Sequence, residues 1–149
     1  MSETDLNSNI RVNKNHPRIV FRCVLDSLEA DILEIQLLTA EKNEDYYTSA
    51  LGEILQFVRE LMSAEVNDQP VVMPLLFGYS LDELYQQTQT LILPDYTMGI
   101  IPIRLNTLRT RVREAELLAI KYFQDREDIL YSLNRLSSAV FWLFCRSLG

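Results

Sequence analysis

Leu105-Asn106-Thr107-Leu108-Arg109-Thr110-Arg111-Val112-Arg113-Glu114-Ala115-Glu116 and Ser132-Leu133-Asn134-Arg135-Leu136-Ser137-Ser138 are the two strings on which the reading of this chain turns. In the first, Leu105, Leu108, Val112, Ala115, Ala119 and Tyr122 recur at alternating steps of three and four. That spacing predicts one apolar seam on a long helix. Ala115 and Ala119 are small, so a neighbouring helix can approach closely. Arg109, Arg113 and Glu116 share one face beside the seam. Two guanidiniums at the edge of a buried seam make an anion site, because each presents a planar fork of donors that matches phosphate geometry. Glu116 can order the arginines or help hold a metal ion that accompanies phosphates. The blander and commoner reading is a solvated charged face with i, i+4 pairing.

The second string predicts another helix. Ile129, Leu133, Leu136, Val140 and Leu143 form one stripe, and Leu130, Asn134, Ser137 and Phe141 form a second beside it. Asn134 is an unusual choice for a helix interior, since its amide competes with the backbone. A buried amide left unpaired costs about 1–3 kcal/mol, so it needs either a neighbouring helix or the polar edge of a ligand. Arg135 lies one step round and can reach the same site or a neighbouring subunit.

The rest of the chain reads as helices too. Residues 1–16 are a polar leader, expected to be mobile and to order only against a neighbour or ligand. His16, the one histidine, precedes Pro17 and is expected outside the helix, with no role assigned. The first helix is expected over residues 18–41, with Val24, Leu28, Ile32, Ile35 and Leu38 buried. Residues 43–45 turn into a second helix over residues 46–65, with core positions Leu51, Ile54, Leu55, Val58, Leu61 and Met62. A connection over residues 66–79 carries Val71, Val72, Leu75, Leu76 and Phe77 and reads as a packed loop. Ser80-Leu81-Asp82-Glu83 is a capping box that opens a short helix to about residue 89. Gly99 or Ile100 opens the helix of the first string, and residues 124–126 turn into the last. The predicted architecture is all-α, an up-and-down five-helix bundle with four long helices and one short, over residues 17–149.

Composition agrees. The 149 residues are 48% hydrophobic with only four Gly and five Pro, which suits a compact helical domain. The net charge is −7, so the chain is a poor general binder of nucleic acid or of anionic membrane. Six of its fourteen Lys and Arg nevertheless fall within residues 104–126, which allows a local cationic site. Cys23 and Cys145 are far apart and form no Cys-x-x-Cys, so reduced thiols in a cytoplasmic protein are expected rather than a zinc site or disulfide. Neither a signal peptide nor an apolar run of membrane-spanning length is recognised.

Taken together, the two strings resemble the cobalamin adenosyltransferases, which move the adenosyl group of ATP onto cob(I)alamin. The common form of that family carries Arg-x-x-x-Arg-Arg-Ala-Glu-Arg followed by Asn-Arg-Leu-Ser. Arg109, Arg113, Ala115 and Glu116 match the first, and Asn134, Arg135, Leu136 and Ser137 the second. The ethanolamine-utilisation type is nearer: its Leu-Arg-Thr-x-Val-Arg-Glu-x-Glu and Leu-Asn-Arg-Leu-Ser-Ser recur at residues 108–116 and 133–138. Upstream, Pro17-Arg18 and Phe21-Arg22-Cys23-Val24-Leu25-Asp26-Ser27 look like the start of that type's adenosyltransferase domain. The resemblance implies ATP, Mg²⁺ and cobalamin as ligands, and a homo-oligomer, most often a trimer, with sites between subunits. It implies ATP contacts for Arg109, Arg113, Glu116, Asn134, Arg135 and Ser137, with Glu116 also the metal ligand. Asp26 would pair with Arg113 across a subunit boundary; the alternative is a solvent-facing Asp. It further implies a cytoplasmic setting, with association with a bacterial microcompartment as a further option.

Departures from the common form are equally specific. Glu114 and Leu117 replace arginines, as in the ethanolamine type. Residues 1–17 contain no glycine and do not resemble the family's Gly- and Thr-rich triphosphate loop. Leu91-Ile92-Leu93-Pro94 stands where the family has an aromatic residue against the corrinoid, which leaves Phe77, Tyr79 or Tyr96 as replacement candidates. These departures raise an alternative to the enzyme: an adenosylcobalamin carrier or sensor on the same fold. A purely structural helical subunit is a third reading, against which the retained arginines and the Asn-Arg-Leu-Ser string weigh.

Overall fold

The computed structural model describes residues 3–7 and 10–149. Its helices are α1 (Pro17–Glu41), α2 (Asp45–Val66), α3 (Leu81–Gln86), α4 (Ile100–Tyr122) and α5 (Glu127–Ser147). Helices α1 and α2, α1 and α4, α4 and α5, and α2 and α5 pack as neighbours, with α3 laid against α5. The starts of α1 and α5 meet the ends of α2 and α4 at one end of the bundle, where the Phe21 and Phe123 rings pack at a tilt, 4.8 Å between centres. The connection from α2 to α4 therefore runs the bundle's length and carries α3. The all-α five-helix bundle expected from periodicity is the observed fold; packed long neighbours run antiparallel as in an up-and-down bundle, with one long crossover, from α2 to α4, two helices that run the same way.

The core follows the seams closely. Leu105, Leu108, Val112, Ala115 and Ala119 of α4 are buried, as are Ile129, Leu133, Leu136, Val140 and Leu143 of α5. Tyr122, the last residue of α4, is exposed instead of continuing the seam. On α1, Leu28, Ile32 and Ile35 are buried as expected, while Phe21, Leu25 and Thr39 take the places foreseen for Val24 and Leu38. That helix serves two neighbours, α2 and α4, so its buried stripe is wider than one seam. Along residues 66–79 only Val71 and Leu76 are buried; Val72 and Leu75 face out.

Local chemistry sets the boundaries. His16 N-caps α1, its Nδ1 accepting from the Arg18 N–H at 3.2 Å, a structural role that sequence reading did not assign. The Ser80–Glu83 capping box is formed as predicted. Helix α3 stops at Gln86 rather than residue 89, because the Thr88 hydroxyl (2.9 Å) and the Gln89 amide (2.7 Å) take the Tyr85 carbonyl. Gly99 enters α4 at φ +101°, in a region open only to glycine, and Pro102 occupies the first turn, where no N–H partner is needed.

Two features were not foreseen. Strands β1 (Glu3–Asn7) and β2 (Ile10–Asn13) form an antiparallel pair within the stretch read as a polar leader; Leu6 is buried there and Arg11 pairs with Asp5 at 3.1 Å. The part of that reading that concerns Met1, Ser2, Ser8 and Asn9 lies outside the described residues. The second feature is Glu65, whose side chain is fully buried at the end of α2 between Arg18 and Arg22 of α1. Next to it, Asp128 of α5 accepts from the Val71 N–H at 2.9 Å and from Arg126 at 3.0 Å. Together these groups close one end of the bundle.

Candidate functional site

Helices α4 and α5 place most of the expected residues on one outward face. Arg109 and Arg113 of α4, with Ser137, Ser138 and Phe141 of α5, line a cleft of about 240 Å³. Its other wall is the end of α3 and the segment after it, through Tyr85, Thr88, Gln89, Leu91 and Ile92. Arg109 donates to Asn106 Oδ1 at 3.1 Å and lies 5.8 Å from the centre of the Phe141 ring. These contacts hold its guanidinium at the cleft without neutralising it. Arg113 is more exposed and reaches Glu116 Oε1 at 3.4 Å.

Asn134 and Glu116 sit beside the cleft as a bonded pair. Asn134 Nδ2 donates to Glu116 Oε2 at 2.9 Å. Glu116 is buried, only 8% exposed, so this bond and Arg113 satisfy its carboxylate. The amide therefore has its neighbouring-helix partner, and its half-buried position still leaves one edge open.

Arg135 departs from the expected group. Its guanidinium lies over the Tyr85 ring at 4.0 Å and the Tyr131 ring at 5.0 Å, and Nε donates to Asp82 Oδ1 at 2.8 Å. Nη1 returns to Asn134 Oδ1 at 2.6 Å. Tyr131 also donates to Asp82, at 2.6 Å. These bonds from Tyr131 and Arg135 hold the Asp82 carboxyl below its usual range.

The remaining candidates lie apart from the cleft. Asp26 is exposed on α1 and makes no ion pair among the described residues; the link between α1 and α4 is Asp31 with Arg111, at 3.8 Å. Phe77 is stacked on Trp142 at 5.4 Å and 16°, and Tyr79 packs on the same indole at 5.6 Å. Tyr96 is exposed in the turn before α4. Among the described residues no three His, Cys, Asp or Glu side chains cluster as a metal site; the Glu116 carboxylate lies beside the cleft through its contact with Arg113.

Against known families, residues 1–147 match the model of the family described as cobalamin adenosyltransferase. The chain belongs to the cobalamin adenosyltransferase family. Within it, the chain is 33% identical over 160 residues to the corrinoid adenosyltransferase EutT of Salmonella typhimurium, covering 98% of this chain and 58% of that protein. It is 33% identical over 152 residues to EutT of Escherichia coli, covering 93% of this chain and 55% of the relative. The chain thus spans a little over half the length of the curated relatives it matches. A PduO-type ATP:co(I)rrinoid adenosyltransferase variant from Lactobacillus reuteri, solved with ATP, shares the fold: TM-score 0.71, 19% identity, covering 96% of this chain and 87% of that one. Among the described residues no helix is long and apolar enough to cross a membrane.

For this adenosyltransferase-family chain, sequence reading missed the far wall of the cleft. Tyr85 lies in, and Thr88 and Gln89 just after, a helix of only six residues, too short to show a periodic face. Asp82 was visible only as part of a capping box. A signal did exist for its partner: Tyr131 precedes Arg135 by one helical turn, a spacing that stacks a ring beneath a guanidinium.

Proposed function

We propose that this chain is a corrinoid adenosyltransferase of the ethanolamine-utilisation type, transferring the 5′-deoxyadenosyl group of ATP to cob(I)alamin to give adenosylcobalamin and triphosphate. The observation that carries the reading is the convergence of Arg109, Arg113 and Ser137 on one cleft beside a bonded Asn134–Glu116 pair. The cobalt(I) centre attacks ribose C5′, the Co–C bond forms, the C5′–O bond breaks, and its electron pair leaves with triphosphate. Since the corrinoid is itself the nucleophile, no general base is required. The protein's task is to align two substrates and to stabilise charge on the leaving group, for which two arginine forks are suited.

Mg²⁺ would travel with the triphosphate, which commonly supplies most of its ligands, with Glu116 as the protein carboxylate. Leu91, in the cleft wall, and Leu93, two residues on, are highly exposed and offer an apolar surface for the corrin ring; Tyr96, exposed in the turn before α4, would be a further aromatic for it. Phe77, turned onto Trp142, would take part only as support for that wall. A homo-oligomer, a trimer in the reading from resemblance, would add a second subunit to this open cleft and give Asp26 its partner. The cytoplasm, with or without a microcompartment, is the setting that goes with this activity.

A carrier or sensor of adenosylcobalamin is the second reading. It is favoured by residues 3–7 and 10–13, which form a strand pair whose Arg11 is already paired with Asp5, and not a glycine-rich phosphate loop. The deciding experiment is anaerobic: chemically reduced cob(I)alamin and MgATP are mixed with the protein and the cobalamin spectrum is followed. ATP-dependent appearance of light-sensitive adenosylcobalamin supports the enzyme. No conversion, with a melting shift from adenosylcobalamin but none from MgATP, supports the carrier.

A further inference from the structure

Asn134 offers four hydrogen-bonding positions, two N–H and two lone pairs. Glu116, an acceptor, takes one N–H at 2.9 Å, and Arg135, a donor only, takes one lone pair at 2.6 Å. Together they pin the side chain from both ends, leaving one donor and one acceptor for a ligand at defined places. Arg135 can do this only if it stays where it is. On its own element it lies within reach of the cleft, where an anionic ligand would draw it away. Asp82 prevents that by accepting from Arg135 Nε at 2.8 Å, while the Tyr85 and Tyr131 rings flank the guanidinium and the Tyr131 hydroxyl fixes the Asp82 carboxylate at 2.6 Å.

We propose that Asp82 is a positioning residue: it holds Arg135 between Tyr85 and Tyr131, and Arg135 thereby secures the Asn134 amide for a bound nucleotide. Arg135 is on this account a brace within the protein and not a phosphate ligand. The part concerning nucleotide rests on the proposed function. The part concerning Asn134 rests on the bonds alone.

Two readouts test it. The first is the Asn134 side-chain amide signal in a ¹⁵N-labelled protein, assigned by its loss in Asn134→Ala. Asp82→Asn should shift and broaden it. Glu83→Gln, which alters the same turn of α3 without touching Arg135, should leave it in place. The second is ATP affinity. Asp82→Asn should weaken it by about fivefold in the wild-type background and by less than about twofold in the Asn134→Ala background, since effects routed through one residue are not additive. The proposal is overturned by an unmoved amide signal in Asp82→Asn, by an equal change in Glu83→Gln, or by an undiminished Asp82→Asn effect when Asn134 is already gone. A wild-type chain that binds no ATP at all would instead count against the proposed function, and the amide signal would still decide whether Asp82 positions Asn134.

Discussion

Replacing Glu65 with leucine should be among the most damaging single changes to this bundle. The Glu65 side chain is wholly buried, whereas those of Arg18 and Arg22 are 23% and 13% exposed. Both carboxylate oxygens are engaged, Oε2 by Arg18 Nε and by Arg22 Nη2 at 3.3 Å, and Oε1 by Arg22 Nε. Leucine removes the acceptor for all three and leaves two guanidiniums mostly out of water. Breaking a buried pair by deleting one partner costs about 3–5 kcal/mol. Arg18 keeps the Glu65 backbone carbonyl at 2.6 Å and Asp68 at 2.8 Å, and both arginines retain some access to solvent. The lower end, about 3 kcal/mol, is therefore expected, a large share of the 5–15 kcal/mol typical of a domain. For a chain of this length that corresponds to a fall in Tm of about 6–12 °C. Urea titration followed by helical circular dichroism gives the quantity directly. The double variant Arg22→Met, Glu65→Leu should recover part of the loss, because it removes an unpaired charge along with its partner. A loss below about 1 kcal/mol for Glu65→Leu, at unchanged m-value, would refute the reasoning, and so would a double variant no more stable than the single.

Three further outcomes are expected. Arg113→Ala and Asn134→Ala should each lower adenosyl transfer at least about a hundredfold while leaving helical content intact; normal turnover in both would remove them from the site. Asp128 is lowered to about 2 from 3.8, first by its hydrogen bond from Arg126 and further by the Val71 N–H. Its folded value lies below its unfolded one, so its contribution is present above about pH 4 and is lost as pH falls towards 2. The full shift corresponds to about 2 kcal/mol, and a side chain 26% exposed should deliver roughly half of that; Asp128→Asn should flatten the acid limb of a stability–pH curve by that amount. Gly99→Ala should cost about 1–3 kcal/mol by straining the backbone at φ +101°, read by thermal melting.

The sequence by itself determined the bundle and which residues share one face of it. Apolar residues at steps of three and four on α4 and α5 can be buried together only by a helix that turns one side inward, and that choice carries Arg109, Arg113, Glu116 and Asn134 to the seam's edge as a consequence. Motif strings within those same helices were enough to indicate the family. Tertiary structure decided what depends on distant partners. Arg135 sits one residue from Asn134 yet turns to Asp82, 53 positions earlier, because the Tyr85 ring and the Asp82 carboxylate are brought to it, opposite Tyr131 of its own helix, by a six-residue helix with no readable period. Glu65 looks in the sequence like the solvated end of α2, and is buried because Arg18 and Arg22 arrive from α1, more than forty residues away. The strand pair at residues 3–7 and 10–13 has too few apolar residues to announce itself, and its hydrogen bonds form only between two segments brought side by side. Helical periodicity is written locally, one turn at a time. The partners that aim a polar side chain are chosen by the packing of elements far apart in the chain.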